Sequence, residues 1–180
     1  FEINPFKVEG FFRPATQCGG DWWWYQGNDG KLRVLVTDVT GHGPASAMVA
    51  TAVATTFQNV QDMESYSDME DIISSLDKSI RRMGDEYWLS MNALEIDTQK
   101  GSLQLWGAGA PPLFRMNSQG KLDVLKSPGD PIGLQGGQIK RSEFSLSPGD
   151  RLMIFTDGLY EFKKENSKNF GMKGLYELFA

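Results

Sequence analysis

The chain of 180 residues has one cysteine, Cys18, and one histidine, His42. A single cysteine excludes a disulfide framework within the chain and fits a reducing compartment. One thiol and one imidazole exclude a zinc site built from several such ligands. Basic residues are the minority, 18 Lys and Arg against 23 Asp and Glu, and no basic patch is visible. That balance argues against a nucleic-acid partner. No apolar run approaches the ~20 residues that span a bilayer, so no membrane contact is expected of this domain. A signal peptide and an initiating Met are also lacking. The chain therefore reads as an excised piece of a longer protein, cytoplasmic even where its parent is membrane-tethered.

What is present suits one packed domain over residues 1–180: hydrophobic residues make up 40% and charged residues 23%. Short alternating or apolar runs at 31–37, 87–96, 102–106, 113–116, 121–125, 139–146 and 151–156 read as strands. Gly, Pro, Asn or Asp punctuates nearly every join, and Gly27-Asn28-Asp29-Gly30 reads as the turn before the first run. Joins this short suit antiparallel hairpins rather than βαβ crossovers. Two stretches break the pattern. Residues 44–60 repeat Ala45, Met48, Val49, Ala52, Val53, Thr56, Phe57 and Val60 at helical spacing, with Pro44 suited to the first helical position. Ser67-Asp68-Met69-Glu70 matches a capping box, followed by the one-sided stripe Met69, Ile72, Ile73, Leu76, Ile80 and Met83. Residues 170–180 open a third helix. Strands with helices segregated onto their faces predict an α+β layered fold around one core.

Three aspartates stand where a strand meets a glycine-marked turn. Asp21 follows Gly19-Gly20, Asp38 precedes Val39-Thr40-Gly41-His42-Gly43, and Asp157 precedes Gly158. Any one Asp-Gly pair is most simply a turn. Three together, with few Arg or Lys beside them, call for a bound cation as the partner that makes their burial tolerable. Oxygen-only ligands select hard ions such as Mg²⁺ or Mn²⁺.

These same residues resemble a known family. Phe12-Arg13-Pro14-Ala15 with Cys18-Gly19-Gly20-Asp21, then 38–45, then 147–151, Thr156-Asp157-Gly158-Leu159, Glu161 and Phe170-Gly171 are similar to the ordered motifs of PPM-type metal-dependent serine/threonine protein phosphatases, in their bacterial SpoIIE/RsbU-like branch. The resemblance implies an αββα sandwich of two antiparallel sheets flanked by helices. It implies two Mn²⁺ or Mg²⁺ ions, with Asp21 and Asp38 as metal ligands, Val39 lending a backbone carbonyl and Asp157 as a third acidic ligand. The same three aspartates are then the catalytic residues. The implied reaction is hydrolysis of phosphoserine or phosphothreonine in a phosphorylated protein, by a domain fused to a sensor or signalling module. The alternative is a phosphatase-fold binding or regulatory domain with little turnover. The family's usual Asn-Ala-Gly-His-x-Pro-Pro stretch appears here as Gly107-Ala108-Gly109-Ala110-Pro111-Pro112. Its last acidic ligand follows the third helix, so the chain is expected to stop short of it and to bind the second ion weakly; two tight sites would mean that another residue, such as Asp130 or Glu161, completes the shell.

The remaining polar residues have plainer readings. His42 is expected to serve loop geometry inside its glycine turn, and Arg13 to be a solvated charge. Cys18 is expected to be a small filler. Of Trp22, Trp23 and Trp24, alternation along a strand puts at least one in the core.

Overall fold

The structure is a computed structural model and describes residues 2–3, 5–14, 18–28, 30–61, 68–162 and 169–179. Ala15, Asp29 and Ser67 lie outside them. Among the described residues the order is β1 (Glu2–Ile3), β2 (Phe6–Lys7), β3 (Asp21–Asn28), β4 (Lys31–Val39), α1 (Pro44–Gln61), α2 (Met69–Met83), β5 (Leu89–Asp97), β6 (Ser102–Ala108), β7 (Leu113–Met116), β8 (Leu122–Leu125), β9 (Lys140–Ser145), β10 (Arg151–Met153), a 3₁₀ turn (Asp157–Leu159) and α3 (Gly171–Phe179).

Five strands form one antiparallel sheet in the order β3-β4-β5-β6-β9, and three form a second in the order β10-β7-β8. Alternation sorts their side chains into layers. Leu35, Val39, Leu89, Met91, Ala93 and Trp106 face one way and pack on Val49, Val53 and Phe57 of α1 and Ile72, Ile73, Leu76 and Ile80 of α2. Leu32, Leu94, Ile96, Leu103 and Leu105 face the other way and meet Leu113 and Leu125 of the smaller sheet. The outer face of that sheet carries Phe114, which packs with Phe155 and with Leu175 of α3. The result is four layers, helix, sheet, sheet and helix, as the family resemblance implies. Trp22 and Trp24 both stand edge-on to Phe57, at 5.6 and 4.7 Å between ring centroids, while Trp23 stacks on Tyr25 along the opposite face.

Most boundaries shift by one or two residues from the sequence reading, and two of the differences have a clear cause. Helix α2 begins at Met69 with Asp68 as its cap, accepting from the Glu70 N–H at 3.2 Å. The Glu70 carboxylate is thereby released from a capping box and accepts from Trp106 Nε1 at 3.3 Å and Arg141 at 3.4 Å. Strand β10 stops at Met153 rather than at Thr156, because its partner β7 starts at Leu113, just after Pro111-Pro112. Prolines have no N–H to continue a ladder.

Candidate active site

The β3-β4 hairpin builds the first half of the site. Asn28 pairs with Lys31 across a turn in which Gly30 has φ +75°, a conformation that glycine adopts freely. That tight register runs unbroken to the other end of the ladder, where Asp21 stands opposite Asp38. The Val39 N–H donates to the Gly20 carbonyl at 3.3 Å, which makes Gly20 and Val39 a hydrogen-bonded pair. Asp21 and Asp38 are therefore the closer, non-hydrogen-bonded kind, with Cα atoms ~4.5 Å apart. Gly20 is required here: a Cβ on it would lie 2.7 Å from the Val39 carbonyl oxygen. Val39 itself is buried, its side chain in the core under α1.

Both carboxylates are on the face that carries Leu32 and Tyr25, between the two sheets, at the opposite end of the β3-β4 ladder from the Asn28–Lys31 turn. Like charges directly opposite one another on a sheet repel. Burial first, then the charges of Asp21 and Asp157, a hydrogen bond with Asp21 and the charge of Glu161 push the Asp38 carboxyl up to about 7 from its ordinary 3.8. Asp21 is also raised, chiefly by burial and further by the Asp157 charge, while hydrogen bonds from Thr156 and Asp38 act against the rise. Both carboxyls of the pair are thus harder to ionise than an ordinary aspartate, Asp38 the more so.

Asp157 reaches this pair from the smaller sheet's side. It opens the 3₁₀ turn, and its carbonyl accepts from the N–H groups of Tyr160 at 2.9 Å and Glu161 at 2.8 Å. It does not end a strand, since β10 has already stopped. Its charge and that of Glu161 are felt at Asp38. The Tyr160 phenol is raised by burial and then by Glu161, Asp157 and Asp38, so it stays protonated. Tyr160 and Thr156 were absent from the sequence-based set, although Thr156 stands next to a chosen aspartate.

Other residues stand apart from this arrangement. His42 is exposed, between Gly41 at φ +90° and Gly43 at φ +82°. Arg13 is exposed and Cys18 half-buried. Asp130 is engaged in its own loop, accepting from the Gln138 N–H at 3.0 Å.

The donor set suits a hard divalent ion. Asp21 Oδ1 is buried with no hydrogen-bond partner, an oxygen that a cation would satisfy. Among the described residues, however, no three Asp, Glu, His or Cys side chains gather tightly enough to form a metal cage by themselves. The structure brings Asp21 and Asp38 together and leaves Asp157 within electrostatic range. Two carboxylates would leave most of a coordination sphere to water, which is how Mg²⁺ is commonly held. Among the described residues, no helix is long and apolar enough to cross a membrane.

Comparison with known proteins places the fold. Residues 28–180 match the family model described as Stage II sporulation protein E (SpoIIE). The phosphoserine phosphatase RsbP of Bacillus subtilis is 24% identical over 162 residues, covering 86% of this chain and 40% of RsbP. The chain thus spans less than half the length of that relative. The SiaA-PP2C domain of Pseudomonas aeruginosa superposes with a TM-score of 0.80 at 22% identity, over 93% of this chain and 68% of that one. RsbX in complex with magnesium superposes with a TM-score of 0.67 at 16% identity, over 92% of this chain and 80% of that one. With the αββα layers, the paired aspartates and a family match over most of its length, the chain belongs to the SpoIIE family of PP2C-type phosphatase domains.

Proposed function

We propose that the chain hydrolyses phosphoserine or phosphothreonine in a bacterial signalling protein, with Asp21, Asp38, Asp157 and the Val39 carbonyl holding two Mn²⁺ or Mg²⁺ ions. The observation that carries this reading is the Asp21–Asp38 pair, set face to face with an unpartnered buried oxygen. A phosphate dianion is repelled by these carboxylates alone, so an intervening cation is what makes the site receptive. When bound, the ions supply an acidified water as nucleophile and neutralise charge on the phosphoryl group.

The chain's own residues do the rest. Asp38 would have to be ionised to hold a cation, so binding would be coupled to proton release near neutral pH. Gly20 lets β3 approach the Val39 carbonyl closely. Tyr160 remains a neutral hydrogen-bond donor beside the acidic groups. The match to only 40% of RsbP supports a larger parent in which this single domain, 1–180, is joined to a sensor or signalling module.

A second reading, a domain that binds a phosphoprotein with little turnover, is favoured by the lack of a ready three-carboxylate cage among the described residues. Hydrolysis of a chromogenic phosphoester and of phosphoserine peptides, with EDTA and with Mn²⁺ restored, separates the two. Activity that vanishes in chelator and returns with Mn²⁺ is expected. Undiminished turnover in EDTA refutes the metal mechanism, and tight Mn²⁺ binding without turnover selects the binding reading.

A further inference from the structure

The inner face of the five-stranded sheet changes character along its length. At the far end its rows are apolar: Leu32, Ile96 and Leu103 lie side by side on β4, β5 and β6. At the site end β5 carries Ser90 and Asn92 on the same face instead. Asn92 is 1% exposed; its Nδ2 donates to the Pro111 carbonyl at 2.9 Å, and its Oδ1 has no partner. Polar side chains in the interior of a sandwich are costly unless something uses them.

Ser90 stands directly opposite Asp38, so Asp21, Asp38 and Ser90 form one row across three adjacent strands. The Thr40 N–H donates to the Trp88 carbonyl at 2.9 Å two positions further along, which makes Asp38–Ser90 a hydrogen-bonded pair of the same ladder. The Cβ atoms of such a pair are ~5.5 Å apart, within the combined reach of a hydroxyl and a carboxylate, although the two side chains are not bonded to each other here. Ser90 is half-buried, and its hydroxyl makes no hydrogen bond to another described residue. A short hydroxyl is a poor choice for packing or strand propensity at this place, and a good one for a donor beside an acid.

We infer that Ser90 is a positioning residue of the site: with a divalent cation bound and Asp38 ionised, its hydroxyl turns to donate to that carboxylate and fixes the rotamer in which it meets the ion. The inference rests on the metal-site reading above. A residue acting on a ligand in this way typically changes metal affinity by about 10–100-fold when removed.

The test is Mn²⁺ affinity, read from the free-ion electron paramagnetic resonance signal, in wild type, Ser90→Ala, Ser90→Thr and Asp38→Asn, with melting temperatures in EDTA. Ser90→Ala is expected to weaken binding about tenfold. Ser90→Thr, which keeps the hydroxyl, is expected to restore it. Metal-free melting temperatures of the two Ser90 variants should stay within a few degrees of wild type. Unchanged affinity in Ser90→Ala, with Asp38→Asn failing to bind, overturns this inference alone. Mn²⁺ binding that survives in Asp38→Asn overturns the metal-site reading itself. Weakened affinity that tracks a fall in metal-free stability and is not rescued by Thr would make Ser90 a packing residue and also overturns the inference.

Discussion

Replacing Asp38 by Asn should make the metal-free protein more stable at neutral pH while abolishing metal binding. Asn keeps the size of the side chain and its capacity to hydrogen-bond Asp21, and removes only the charge. In the folded chain the Asp38 carboxyl is pushed up to about 7 from 3.8, by burial first and then by Asp21 and Asp157. An acid whose folded value is raised binds its proton more tightly in the folded state. Its contribution is fully favourable below the unfolded value and is lost as pH rises through the folded one. The window is therefore from about pH 4 to about pH 7. At full strength the difference from 3.8 to about 7 is worth ~4 kcal/mol. The carboxyl keeps contact with solvent, and screening reduces this to about 2 kcal/mol.

For a chain of this length ~2 kcal/mol moves the melting temperature by about 4–8 °C. Thermal unfolding followed by circular dichroism in EDTA should show Asp38→Asn melting higher than wild type by that amount at pH 7.5, with the two curves converging at pH 4.5. Addition of Mn²⁺ at about a hundred times its dissociation constant stabilises wild type by ~2.7 kcal/mol through mass action and should leave the variant where it was. The reasoning is refuted by a variant less stable than wild type in EDTA at pH 7.5, or by a difference that does not shrink on acidification.

Two further expectations concern the surroundings of the pair. Phe57 is fully buried and touches both Trp22 and Trp24, so Phe57→Ala should lower stability by ~3–5 kcal/mol, read as a shift in urea midpoint at unchanged m-value; a loss under 1 kcal/mol would contradict the packing described. His42→Ala should retain much more phosphoesterase activity than Asp38→Ala, because His42 is exposed between two glycines and only Asp38 belongs to the acidic row; equal, near-complete losses in two folded variants would put His42 among the catalytic groups.

The layered architecture was legible because its signals are local. Period-two alternation, glycine and proline at the joins, and the one-sided stripe from Met69 to Met83 each act within a few residues, and the helix and strand positions followed them closely. Even the pairing of Asp21 with Asp38 was latent in the chain. A tight turn between Asn28 and Lys31 leaves one register open, and that register sets the two aspartates opposite each other. The ends of elements were less legible because partners decide them. Strand β10 stops where Pro111-Pro112 deprives it of a ladder, and Glu70 leaves its capping role for Trp106 and Arg141, residues distant in sequence.

Only the tertiary structure decided what surrounds the pair. Asp157 and Glu161 come from the segment after β10, on the other sheet's side, and their influence on Asp38 depends on the packing of two sheets rather than on any spacing in the chain. Ser90 and Asn92 carry no motif of their own. On β5 they read as two polar interruptions of an apolar strand, and they acquire meaning only because the ladder lays Ser90 beside Asp38 and buries Asn92 against Pro111. The sequence determined which carboxylates were available and the hairpin that joins two of them. Burial, a property of the packed sandwich, decided that one of those carboxylates would hold a proton near neutral pH.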